Sequence, residues 1–401
     1  MKDNTNIIIL GGYINGYSIA RTIYETYGIM SYIFDYRSHF SSKSKIVYYK
    51  IVPNPRYVDK FLEYMICFGN KNKERNNILF VTNDEWLVPL AKHKEELEKY
   101  YMYTFSDWNI IEKLTIKKNL YQLCENIKIP YPHTMFIDQC NIDNIKLLEY
   151  PILIKPSNVV CYINTIQGKR NNIFNNYSDA IQFLNKCFQK YNDLFIAQEY
   201  IPGGVENLYT ATTYSNKNAV LKGISIGHKL SQYPPEAGTM TAGLTKYVDE
   251  IEKLTEKLLK SSNYYGIANT EYKYDKRDNL YKIMEINPRP GIWNYSALKS
   301  GVNLFRLLID DLICEHRKES ANNIDTIVRG KESIVWFVTP KMELRYTLKK
   351  YNIKQYAEIV DPRNNSIEPF IYKCHIVATD IKNYTKRIIK NILQKMRKYI
   401  P

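Results

Sequence analysis

From Thr270 to Asn287 the chain alternates polar and apolar residues with the two-residue period of strands. Thr270–Tyr274 and Tyr281–Asn287 flank the turn-like link Asp275-Lys276-Arg277-Asp278-Asn279 and read as a hairpin. Glu285 and Asn287 lie two residues apart, so a strand projects them from one face. A register that sets Glu271 opposite Glu285 opposes two carboxylates, which repel unless a cation lies between them. With the Asn287 amide oxygen they form a hard-oxygen set suited to Mg²⁺. The alternative is that Glu285 pairs with a lysine and that Pro288 and Pro290 merely stop a strand. A one-residue slip would separate the carboxylates.

Upstream, the pattern switches between short apolar runs and helical periods. Asn6–Leu10 reads as a buried strand, followed by Gly11-Gly12-Tyr13-Ile14-Asn15-Gly16 and a helix from about Tyr17 to Tyr27. Strands at Ser31–Tyr36, Ile46–Ile51 and Asn77–Thr82, with a helix over Tyr57–Phe68, continue a parallel α/β unit. The Gly turn lacks the GxGxxG spacing, and its backbone amides suggest a cradle for an anion or polar substrate. Asp84 follows a strand end, where open α/β sheets place ligands. It reads as a holder of a substrate amine or as the N-cap of a helix running to Tyr100.

Farther along, a helix over Glu112–Lys128 stops at Ile129-Pro130-Tyr131-Pro132. Tyr150–Lys155 is a strand whose lysine needs an anion, either a nucleotide phosphate or a structural carboxylate. Strands follow at Phe195–Ile201, Leu208–Tyr214 and Ala219–Ser225. Gln232–Thr245, with Gly238 and Thr239, has the Pro/Gly/Thr composition of a mobile loop closing over substrate. A helix over Glu250–Asn263, an interrupted one over Ser296–Cys314 and a strand at Ser333–Thr339 complete the core pattern. His228 is either a substrate-orienting or a structural histidine. In Lys382–Pro401, the residues Ile388, Ile389, Ile392, Leu393 and Met396 lie at helical spacing among basic residues. That tail is an interfacial helix for anionic lipid or a docked terminal helix with a solvated basic face.

Composition narrows the partners. The 401 residues exceed a single ordinary core, and 45% are hydrophobic. The net charge of +15 favours anionic partners such as nucleotides, phosphorylated intermediates or a membrane surface. The basic residues are spread along the chain without a compact nucleic-acid reader motif, so no nucleic-acid partner is expected. Seven cysteines without CxxC spacing suggest neither zinc nor a disulfide framework, which points to a reduced cytoplasmic protein. No apolar run approaches the roughly 20 residues of a membrane span.

In order, a Rossmann-like unit, a helix ending in IPYP, YPILIKPSN, QEYIPGG, IGHKL and EINPRPG resemble the ATP-grasp superfamily over about residues 5–340. Within it the chain is similar to the carboxylate–amine ligases that include D-aspartate ligase. The resemblance implies an α/β ATP-grasp fold behind a Rossmann-like domain, divided as residues 1–111, 112–201, 202–340 and 341–401. It implies ATP and Mg²⁺, amide formation through an acyl phosphate, and an amino acid joined to an amine-bearing acceptor such as a peptidoglycan precursor at the inner membrane face. Other acceptors, or a non-catalytic basic nucleotide- or nucleic-acid-binding protein, are the alternatives. By the resemblance, Lys117 and Lys155 contact phosphates, with Lys169 and Arg170 closing over them. Gln198, Glu199, Tyr200 and Ile201 form a strand edge reading adenine, and Glu206 holds ribose. Glu271, Glu285 and Asn287 hold Mg²⁺, and Arg289 steadies the transferred phosphate. Asp84, His228, Gly238 and Thr239 are the substrate candidates. Glu271 departs from the family's usual Asp at that position, and Ser157–Gln167 lacks the family's glycines.

Overall fold

The apolar run Thr5–Leu10 (β1) is buried on both faces, as the middle strand of a covered parallel sheet must be. Ser31–Asp35 (β2), Val47–Ile51 (β3), Asn76–Val81 (β4) and Met102–Tyr103 (β5) join it in the order β3-β2-β1-β4-β5, every neighbouring pair parallel. The computed structural model describes residues 4–157, 172–189, 194–233, 238–316, 326–338, 341–353 and 358–396. Alternation along β1 separates two cores. Ile7 and Ile9 pack with Ile19, Ile23, Leu304 and Leu308, while Ile8 and Leu10 pack with Phe61, Met65, Trp86 and Leu90. The first core therefore runs into residues 293–313 instead of closing on the N-terminal unit.

The second sheet is antiparallel. It contains Thr134–Ile137 (β6), Ile152–Pro156 (β7), Asn172–Phe174 (β8) and Phe195–Glu199 (β9) in the order β6-β9-β7-β8. The helix Tyr177–Phe188 covers it with Ala180 and Leu184, and the Asn176 side chain caps that helix by accepting from the Asp179 amide.

The third sheet holds the hairpin. Its strands are Leu208–Ser215 (β10), Leu221–Tyr233 (β11), Thr239–Thr245 (β12), Gly266–Asp275 (β13), Leu280–Asn287 (β14), Val328–Arg329 (β15), Ile334–Phe337 (β16) and Glu358–Val360 (β17). The order is β14-β13-β10-β11-β12-β16-β17, with β15 beside β11.

Several expectations change. In the stretch Gln232–Thr245, Gln232 lies opposite Met240 and Tyr233 opposite Thr239, so Thr239–Thr245 is strand, and residues 234–237 lie outside the described residues. The helices expected over 84–100 and 112–128 each divide, at His93 and Ile116, into Asp84–Lys92 with Lys94–Leu97 and Trp108–Thr115 with Lys117–Asn126. Gly301, at φ +95, separates the helices Tyr295–Lys299 and Leu304–His316. The C-terminal helix already begins at Phe370 and extends to Met396. Its Tyr372 is fully buried against Tyr17 and Phe40, which docks the helix start on the N-terminal unit. The side chains of Ile388, Ile389, Ile392, Leu393 and Met396 lie outside the described residues, as do Lys169 and Arg170. Among the described residues no helix is long and apolar enough to cross a membrane.

Candidate active site

The hairpin register sets Glu271 opposite Glu285 and Asn269 opposite Asn287. Strand alternation therefore lines Asn269, Glu271, Glu285 and Asn287 along one face. Beyond Glu285 the register shifts, because β14 carries one extra residue, Met284. The bulge frees the Met284 carbonyl, which accepts hydrogen bonds from Lys117 Nζ at 2.7 Å and the Tyr121 hydroxyl at 3.1 Å. Lys117 is the first residue of its helix, where the backbone dipole disfavours a cation. The Met284 carbonyl and Glu285, 3.7 Å away, compensate that placement.

Three lysines converge on the carboxylates. Lys229 on β11, only 4% exposed, donates to Glu271 Oε2 at 3.0 Å. Burial acts to raise the Glu285 pKa, but the charge of Lys117, the Asn287 amide and the charges of Lys229 and Lys155 together hold it below the usual carboxylate range. Two carboxylates among three ammonium groups leave this cluster with a positive excess, the sign that attracts a polyphosphate. Lys229 was not legible as a site residue, although a lysine within the buried run of β11 poses the same desolvation problem as Lys155. Asn269, two residues before Glu271, was missed for want of extending the alternation one step further.

The metal reading can be tested on the donor set. Among the described residues no three His, Cys, Asp or Glu side chains cluster as a metal site. The candidate set is two cross-strand carboxylates plus amide oxygens, and ammonium groups already sit against both carboxylates. The carboxylate and amide oxygens fit Mg²⁺, which takes few protein ligands and keeps water or phosphate oxygens as the rest, and phosphate charge would offset the neighbouring ammonium groups. Glu271, Glu285 and Asn287 are the residues proposed to hold it.

Arg289 is clasped by the N-terminal unit. Its Nε donates to Asp84 Oδ1 at 2.7 Å, and Nη2 donates to Asp84 Oδ2 at 3.3 Å and to Asn287 Oδ1 at 3.1 Å. The cap reading of Asp84 is therefore corrected: the helix cap is Asn83, whose side chain accepts from the Trp86 amide, and the Asp84 carboxylate holds the Arg289 guanidinium. Asn15 completes the clasp by donating to the carbonyls of Thr82 at 2.8 Å and Pro290 at 2.9 Å.

The Gly turn is not an anion cradle. The Gly11 amide donates to the Phe34 carbonyl and the Gly12 amide to Asp35 Oδ2 at 2.7 Å. Burial would raise the Asp35 pKa, but hydrogen bonds from His39 and Gly12 outweigh it and lower the pKa. The turn is close-packed, since a Cβ on Gly16 would stand 1.9 Å from the Gly11 carbonyl oxygen.

The adenine reading contracts. Strand β9 is interior, with Gln198 paired to Thr134 on one side and Leu153 on the other. The Gln198 side chain donates to Tyr121 and Thr134, and Glu199 accepts from Lys282 at 3.0 Å. The Glu199 and Tyr200 amides donate to the His133 and Pro151 carbonyls. Gln198 and Glu199 are thus not an edge, which leaves the Tyr200 carbonyl and Ile201 amide as the groups proposed for adenine. The Ile201 carbonyl accepts from Lys273 at 2.6 Å. Glu206 lines an open cavity of about 590 Å³ with Ser231, Tyr346 and Lys350. Hydrogen bonds from backbone amides, the Gly204 one included, outweigh partial burial and lower its pKa.

His228 lies beside this region, stacked on Tyr209 with its ring centroid 5.8 Å away. Burial and then the charge of Lys246 push its pKa down to about 4, so the imidazole is neutral. Its Nδ1 is buried without a hydrogen-bond partner among the described residues. Thr239, next to Gly238 in the chain, stands elsewhere, at a cavity against the N-terminal unit.

The chain is 25% identical to the D-aspartate ligase of Enterococcus faecium (strain Aus0004), covering 98% of this chain and 96% of that protein. The chain is thus similar to a ligase along nearly its whole length. The D-alanine–D-alanine ligase of Wolbachia pipientis wMel is 27% identical over 46% of this chain and 61% of its own length. Among solved structures, the L-amino acid ligase of Bacillus licheniformis superposes with TM-score 0.58 at 16% identity, covering 78% of this chain and 75% of that one. The N5-carboxyaminoimidazole synthetase of Staphylococcus aureus, solved with ADP, gives 0.56 at 15% identity over 75% and 74% of the two chains. No family model matches. The fold expected from the sequence, an α/β ATP-grasp fold behind a Rossmann-like domain, is the fold observed.

Proposed function

We propose that this ATP-grasp ligase activates the carboxylate of an amino acid as an acyl phosphate and joins it to an amine, with D-aspartate and a peptidoglycan-precursor amine as the specific pair. The observation that carries the reading is the similarity to a D-aspartate ligase along nearly the whole of both chains. The site geometry supports it. Lys117, Lys155 and Lys229 supply positive charge at the end of the hairpin, and Asp84 and Asn287 fix Arg289 beside it.

Bound Mg²⁺ would neutralise phosphate charge and polarise the transferred group. The chain's own contribution is positioning and charge. The attacking carboxylate oxygen forms a bond to the γ-phosphorus as ADP leaves. The amine then forms a bond to the acyl carbon as phosphate leaves, and a proton is released. Arg289 donates toward the transferred phosphate from a guanidinium already oriented by Asp84, so little ordering is left for the moment of reaction. No protein nucleophile is required. The test pairs D- and L-amino acids with amine acceptors and measures ADP release. Amine-dependent ADP release, greatest with D-aspartate, supports the full reading. ADP release with other amino acids only keeps the ligase and discards D-aspartate, and none with any pair refutes the proposal.

A further inference from the structure

A second cavity, of about 180 Å³, lies where the Gly turn of the N-terminal unit, the β11–β12 ladder and the C-terminal helix meet. Its walls include Tyr13, Tyr233, Thr241 and Ile292, and the C-terminal helix contributes Asp380 and Tyr384. It is smaller than the roughly 300–1,000 Å³ of sites for drug-sized ligands, so it suits one small group. Ile292 ties it to the chemistry. Ile292 lies three positions after Arg289, at most about 10 Å of extended chain.

The polarity is one-sided. None of the described lining residues is Lys or Arg. The carboxylate of Asp380 accepts from Arg363 Nη1 at 2.6 Å, but that buried guanidinium also donates through Nε and Nη2 to Asp361 at 3.0 and 2.9 Å. One guanidinium shared by two carboxylates leaves the cluster with a negative excess, and Asp380 is its member at the cavity wall. Aromatic faces beside a carboxylate suit an ammonium group, through charge and cation–π attraction.

We propose that this cavity holds the ammonium group of a zwitterionic amino-acid substrate, with Asp380 of the C-terminal helix as its specificity residue. The amino acid's reacting carboxylate then points toward Arg289, and the non-reacting ammonium group faces Asp380. The C-terminal helix becomes part of the substrate site, and Thr239 lies in the same wall. The proposal rests on the ligase reading and names its amino-acid subsite.

The test compares amino acids with their desamino acids on the full-length protein. D-aspartate and D-alanine are set against succinate and propanoate in calorimetric binding, and in ADP release with an amine acceptor present. Wild type should bind the amino acids in preference to the desamino acids, and Asp380→Asn should raise the amino-acid Kd and KM by roughly ten- to hundredfold. The KM for ATP should not change, and Asp380→Asn should lose the discrimination against desamino acids. Asp361→Asn loosens the same guanidinium without touching the cavity. It should lower thermal stability while leaving the amino-acid KM unchanged, which separates recognition from packing. Equal amino-acid binding by wild type and Asp380→Asn, or equal effects of the two variants on KM, overturns the proposal. Selective amino-acid binding that Asp380→Asn abolishes, without ADP release by any pair, would leave the subsite standing and remove the ligase reading.

Discussion

Lys229 offers the sharpest test of how the site is held together. Its ammonium lies 3.0 Å from Glu271 Oε2 and its side chain is 5% exposed, against 23% for Glu271. At that separation an effective dielectric of about 20 gives a gross attraction of roughly 5–6 kcal/mol. Desolvation of the ammonium offsets part of it. In Lys229→Met the Glu271 carboxylate recovers water through its exposed quarter, so the loss falls below the ~3–5 kcal/mol of a fully buried broken pair, at about 2–3 kcal/mol. The double-mutant cycle with Glu271→Gln should give a coupling of about 1–2 kcal/mol in urea unfolding, with unchanged denaturant slopes. ADP release should fall in each single variant. Because Lys229 acts through Glu271 in this reading, adding Lys229→Met to Glu271→Gln should cost little further activity. Stability effects that add within about 0.5 kcal/mol would refute the pairing. A large further loss of activity in the double variant would show that Lys229 meets the substrate directly.

Glu285→Gln should abolish ADP release and the Mg²⁺ dependence of ATP binding. It should also lower the unfolding midpoint, because the ionised Glu285 is stabilised by Lys117, Lys229 and Lys155; near-normal turnover would remove the metal role. His228 sets a pH dependence. Its folded pKa of about 4 lies below the unfolded value of about 6.5, so the unfolded chain takes up the proton first. Stability from this group is complete above pH 6.5 and is lost as pH falls toward 4, by up to about 3 kcal/mol. His228→Gln should flatten that part of the stability–pH curve, and an unchanged slope would contradict its burial. Gly16→Ala forces a Cβ against the Gly11 carbonyl and should destabilise the fold by about 1–3 kcal/mol in thermal unfolding. A variant as stable as wild type would show that the turn can relax.

What could be read in the sequence is what short segments decide alone. The strand periods, the opening β–Gly–α–β unit and the hairpin belong to this class. The register of Glu271 against Glu285 does not, because the turn side pairs Tyr272 with Ile283 and only the bulge at Met284 brings the two carboxylates opposite each other. The bulge at Met284 was not legible, since one extra residue in a strand leaves the polar–apolar pattern nearly intact while redirecting a carbonyl to Lys117. Nor was the central place of β9, because strand order depends on which distant segments pair. Arg289 meets Asp84 across 205 positions, and Asn15 reaches the Pro290 carbonyl across 275. Asp84 could be read only by its neighbours, as a cap or an amine ligand, because its partner is supplied by packing. The same holds for Lys229, Asp380 and the Gly12 amide. The sequence by itself determined where most strands and helices run and which residues of one strand share a face, because those depend on the period of the backbone. The tertiary structure alone decided which charge answers which, because a buried ion selects its partner through desolvation among groups that only the fold brings together.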